Sequence, residues 1–103
     1  MLPASVAIEA YSVLTRLPHP HRVPGPIAAG LLDRTFPLDR RAALDAAYLV
    51  DMPARCAAVG IEGGAVYDAV VAATAVAHAA TLVSRDQRAA RTYQAMGASV
   101  ELL

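Results

Sequence analysis

Gly60-Ile61-Glu62-Gly63-Gly64-Ala65-Val66-Tyr67-Asp68, then an almost unbroken run of Ala and Val to Ala80, then Thr81-Leu82-Val83-Ser84-Arg85-Asp86, is the stretch that sets the fold class. Glycines at 60, 63 and 64 predict a turn. Ala65 to Ala80 holds neither Gly nor Pro and is rich in the best helix former, so a helix follows the turn. Thr81 to Ser84 is a short run of β-type residues and reads as a strand. A helix so apolar on every side belongs in an interior.

One polar group disturbs that helix. At ~100° per residue, Tyr67, Thr74 and His78 line up as a narrow polar stripe, and Asp68 lies off it. Asp68 shares a face with Ala65, Ala72, Ala75 and Ala79. Burying its carboxylate unpaired costs on the order of several kcal/mol, so a cation, donors or water must compensate. The plainer reading is an acid in the first turn, favoured by the helix dipole. Asp86 follows the strand directly, at the edge where α/β sheets build their sites. It is also a good N-cap for a helix beginning at Gln87, and the two roles are compatible. Two carboxylates brought near one point repel and favour a divalent cation between them.

Working outward, 103 residues with 56% hydrophobic composition make one packed domain, 1–103. Ala65 to Ala80 comes closest to a membrane span, but Asp68, Thr74 and His78 interrupt it, and nothing at Met1-Leu2-Pro3 resembles a signal peptide. The single Cys56 rules out an internal disulfide and suits a reducing cytoplasm, where it reads as a small buried apolar residue. Formal net charge is zero, which gives no sign of a charge-driven grip on nucleic acid. All nine basic residues are Arg, a planar group that pairs well with phosphate.

From the N-terminus, Pro3 to Leu17 reads as a helix, with Val6, Ala10, Val13, Leu14 and Leu17 as its apolar stripe. Glu9 lies at the margin of that stripe near Ser5, Ser12 and Arg16, where it reads first as a half-exposed surface acid. Pro18 to Pro26 holds four prolines and must be a loop, with His19 and His21 solvated in it. Pro26 opens a short helix reaching Leu32 to Arg34. Thr35-Phe36-Pro37-Leu38 reads as an edge strand, and Asp39 as the cap of a helix from Arg40 to about Val50, with Leu44, Ala47 and Tyr48 facing the core. Asp51 then caps a further helix with Pro53 near its start and Gly60 at its end. Charges at Asp33, Asp39, Asp45 and Asp51 are solvated or capping groups. Gln87 to Met96 is an amphipathic helix, Gly97 its left-handed stop, and Ser99 to Leu103 a strand parallel to Thr81–Ser84.

Taken together, Gly60 to Ala69, Ala72 to Ala75, Leu82 to Ala89, Tyr93, Gly97 and Val100 to Leu103 resemble the C-terminal part of a PIN-domain ribonuclease, closest to the VapC-type toxins of toxin–antitoxin pairs. Ile8-Glu9-Ala10-Tyr11-Ser12-Val13-Leu14-Thr15-Arg16-Leu17-Pro18 is similar to that family's Glu-bearing helix. The resemblance implies a three-layer α/β fold around a parallel sheet. It implies an endoribonuclease that hydrolyses RNA phosphodiester bonds with Mg²⁺ or Mn²⁺ held by clustered acids. Glu9, Asp68 and Asp86 match three of those acids in catalytic and metal-binding roles, and Ser84 matches the supporting hydroxyl before the last one.

The same likeness implies that the chain lacks the family's first strand, with its Asp, and its first two helices. The implied partners are an RNA substrate, a cognate antitoxin, and a second copy or completing N-terminal segment. Expressed alone, the chain is then expected to show no metal-dependent cleavage. Two further expectations follow. Glu9, Asp68 and Asp86 converge. RNA runs over Arg85, Arg88 and Arg91, with Arg16; Arg88 and Arg91 share a helix face. The competing reading is a catalytically inactive piece that only binds an antitoxin or a completing chain; a third is an unrelated doubly wound module in which Asp86 is a simple cap.

Overall fold

Two short parallel ladders organise the chain in the computed structural model, which describes residues 1–103. Each belongs to one of two compact units, Met1–Ala43 and Leu44–Leu103. The five helices and parallel strands are those of the expected α/β class, but the expected single sheet is two separate pairs.

In the first unit, β1 (Leu2–Pro3) leads directly into α1 (Ala4–Thr15). The proline loop follows, tied back by a bond from Val23 N to Leu14 O of 3.0 Å. Helix α2 (Gly25–Thr35) has Pro26 in its first turn, where a missing N–H costs nothing, and packs on α1 around buried Ala7 and Ala28. The strand expected at Thr35–Leu38 does not form. Leu38–Arg40 is a 3₁₀ turn, with Arg40 N bonded to Pro37 O. Strand β2 (Arg41–Ala42) comes after it, parallel to β1 in the register Leu2↔Arg41 and Pro3↔Ala42. Arg41 explains the shift. Its guanidinium bonds Phe36 O at 3.0 Å and pairs with Asp33 at 2.8 Å, which fixes the segment as extended chain where a helix was expected.

In the second unit, α3 (Ala46–Ala58) is capped by Asp45, not Asp39, through a 2.8 Å bond from Tyr48 N. The break expected at Asp51 is also absent, and Pro53 sits inside one continuous helix. A proline there removes one backbone bond at a cost near 3 kcal/mol. Burial of Met52 and Cys56 against Leu44 and Ile61 offsets it. Asp51 instead pairs with Arg55 at 2.9 Å, whose guanidinium lies 4.0 Å from the Tyr48 ring. Ala47, expected in the core, is exposed.

Helix α4 (Ala65–Ala77) is the centre of this unit. Ala69 and Ala73 join the cluster around Met52 and Cys56, while Ala72 joins Ala89, Tyr93 and Ala98. Strand β3 (Leu82–Ser84) leads to α5 (Gln87–Ala95) and then to β4 (Val100–Leu102). The β3–β4 pair is parallel, Leu82↔Val100 to Ser84↔Leu102, as its βαβ spacing predicts. The expected stripe of Tyr67, Thr74 and His78 is not one polar face. Thr74 is buried and donates to Val70 O at 2.8 Å, while Tyr67 and His78 near the two ends are exposed. Burial of α4 varies along its axis as well as around it.

Helices α3, α4 and α5 end in the same hydrogen-bond pattern. Ile61 N bonds Cys56 O, Ala80 N bonds Ala75 O, and Ala98 N bonds Tyr93 O, each with a second bond one residue inside. The residue between must be left-handed. Gly60 and Gly97 fill that place at φ 73° and 89°, but in α4 it is Ala79 at φ 51°. A Cβ there is unfavourable by roughly 1 kcal/mol or more. Ala79→Gly is therefore expected to stabilise the protein by about 1 kcal/mol, read as a higher midpoint of thermal unfolding. A lower midpoint would show that Gly's added freedom in the unfolded chain outweighs the relief.

Candidate functional site

Asp86 is placed by three local bonds. Its extended backbone stops β3 and begins α5. Its Oδ1 accepts from Arg88 N at 2.9 Å and Ala89 N at 3.1 Å, two of the donors a helix start leaves unmet. Ser84 Oγ accepts from Asp86 N at 3.0 Å, so the hydroxyl and the acid expected together are in contact. Both capping bonds fall on Oδ1 and leave Oδ2 facing solvent.

The arginines around Asp86 pair with no carboxylate, as is also true of Arg16, Arg22, Arg34 and Arg40. Arg41 and Arg55 are each held by an acid. Arg85, Arg88 and Arg91 are exposed. Arg88 and Arg91 line an open groove on α5 with Gln87, a residue whose only sequence signal is its place at the helix start.

Asp68 sits in the first turn of α4, half-buried, as the helix-dipole reading requires. It lies one turn before Ala72, which packs on α5. Glu9 and Arg16 belong to the first unit, on α1 and at its C-cap, and both are exposed. One turn before Glu9, Ser5 Oγ is buried without a hydrogen-bond partner. Ser84 and Asp86 are thus in direct contact. No three His, Cys, Asp or Glu side chains gather as a ready cage for a metal ion. No helix is long and apolar enough to cross a membrane.

Comparison with known proteins gives the family of the chain. A family model for the PIN domain matches residues 1–95. Ribonuclease VapC40 of Mycobacterium tuberculosis, in strains H37Rv and CDC 1551, is 45% identical over 101 residues, which span 97% of this chain and 74% of the relative. Ribonuclease VapC27 of the same organism is 45% identical over 94 residues, 89% of this chain and 66% of the relative. No solved structure gives a significant match. With a domain model covering nearly the whole chain and relatives this similar, the chain belongs to the PIN-domain family and is of the VapC ribonuclease type.

Proposed function

We propose that this protein is a toxin endoribonuclease that hydrolyses RNA phosphodiester bonds at Asp86, Asp68 and Glu9 with a divalent cation, Mg²⁺ or Mn²⁺. The observation that carries the reading is Asp86, an acid fixed by capping yet left with one open oxygen, beside Ser84 and three unpaired arginines. The donor chemistry fits a hard cation, because every candidate group offers oxygen. Mg²⁺ is commonly held by one or two carboxylates, with water and substrate phosphate completing its shell, so a closed three-acid cage is not required. When bound, the cation supplies charge stabilisation at phosphorus and an acidified water.

This chain's own groups do the rest. Ser84 fixes the backbone of Asp86. Arg85, Arg88 and Arg91 hold the RNA backbone through phosphate, with Arg16 contributing from α1. Such contacts are salt-dependent because each displaces counterions. Arg88→Ala is expected to weaken RNA binding and to reduce the slope of log affinity against log salt by about 1. Fluorescence anisotropy over a salt series tests this, and an unchanged slope would leave α5 as an ordinary solvated helix. Cleavage of labelled RNA with Mg²⁺, Mn²⁺ or chelator, beside Asp68→Asn, tests the reaction; cleavage indifferent to chelator and to Asp68→Asn would overturn the metal-dependent reading.

Both ladders have only two strands, and such pairs are marginal without further pairing or cover. We propose that their open edges are closed by a second copy or a completing segment, and that a cognate antitoxin masks the site in the cytoplasm. Light scattering of the purified protein should give a mass above the 10.7 kDa of one chain. A stable, well-folded monomer of 10.7 kDa would exclude closure by another chain.

A further inference from the structure

Tyr67 is the most exposed aromatic residue of the chain, at 76% against 41% for Tyr11 and 36% for Phe36. Tyr93 is buried in the α4–α5 cluster, and Tyr48 packs on the α3 cluster under Arg55. Tyr67 belongs to neither cluster and makes no hydrogen bond through its ring or hydroxyl. It is also adjacent to the site, one residue before Asp68 in the first turn of α4. The turn leading to it is open, since a side chain added at Gly63 or Gly64 would meet nothing within 4 Å. An exposed ring beside a candidate catalytic acid, approached over bare backbone, has the features of a stacking platform.

We infer that Tyr67 stacks on an unpaired base of the RNA next to the bond that Asp68 and Asp86 serve. The inference rests on the ribonuclease reading above and deepens it in one respect. A stack needs a base out of its helix, so Tyr67 engages the RNA where it is unpaired. Tyr67 then sets where the strand rests, while the α5 arginines, holding only phosphate, carry no sequence information.

The chain has no Trp, so Tyr67→Trp places a single reporter at the platform. The measurement is made in an Asp86→Asn background, so that the RNA stays whole. Adding single-stranded RNA should quench Trp emission saturably, with duplex RNA of the same sequence much less effective. Tyr67→Ala should raise the Kd for single-stranded RNA by about 5- to 100-fold, the weight of one stacked base, and Tyr67→Phe should preserve it. Since Tyr67 is outside both clusters, thermal melts of Tyr67→Ala should match the wild type, which separates lost stacking from lost folding. RNA binding in a gel shift with unchanged Trp emission would overturn the stack and leave the ribonuclease reading standing. Wild-type protein that binds no RNA would overturn both.

Discussion

In the protein with its sheet edges closed as proposed above, Asp86→Asn is expected to cut RNA cleavage by about a hundredfold or more while leaving the fold almost as stable as the wild type. On the reading proposed above, the two effects separate because Asp86 has two tasks on two oxygens. Capping uses Oδ1, which accepts from Arg88 N and Ala89 N. Asn offers the same acceptor and is as good an N-cap as Asp, so α5 keeps its start. Only the smaller charge–dipole contribution, about 0.3–1 kcal/mol, is lost. The charge that would hold a cation, or take a proton from water, disappears entirely. Asp86→Ala should lose the cleavage too, and about 1 kcal/mol of stability with the cap. Chemical denaturation and a cleavage assay on both variants decide the matter. Full activity in Asp86→Asn would reduce Asp86 to a cap and remove it from the chemistry.

That double role also explains how much of the site could be read from sequence. Asp86 was legible because its neighbours are local: a strand before it, an amphipathic helix after it, Ser84 two residues back. The α4 helix and its Gly60 and Gly97 boundaries were legible for the same reason, since left-handed stops are written as glycine. Residues 35–58 were not. Asp33, Asp39, Asp45 and Asp51 recur every six residues, and each can cap a helix. Which one does so depends on the pairing of Arg41–Ala42 with Leu2–Pro3, a contact 39 residues away that no local window contains. Asp45 then caps, and Asp33 and Asp51 go to arginines. The period of α4 gave the direction of each side chain but not its depth, which is why Thr74 and Tyr67, on one stripe, have opposite environments.

The largest expected loss of stability comes from Ala72→Leu, by about 1–3 kcal/mol or more. Ala72 has no exposed surface and sits among Ala89, Tyr93 and Ala98, with Val71, Leu82, Met96 and Val100 around it. Helices that meet through alanine lie close, and an interior packed at crystal-like density has no room for a longer side chain. The added atoms must either strain rotamers or push α5 away from α4. Against a total stability of ~5–15 kcal/mol, that is a large fraction. In urea, Ala72→Leu should lower the unfolding midpoint with an unchanged slope, whereas Val76→Ala, on the exposed side of the same helix, should do much less. An equal effect of the two would mean that α4 is not the buried centre of its unit. The packing also reaches the chemistry. Asp86 is the N-cap of α5, and Asp68 is one turn before Ala72 on α4, so the α4–α5 contact bears on the distance between the two acids. A wedge at Ala72 should therefore reduce cleavage in the fraction still folded, even though Ala72 touches neither acid's substrate. Cleavage per folded molecule equal to the wild type would break that link and show that the acids act without a fixed separation.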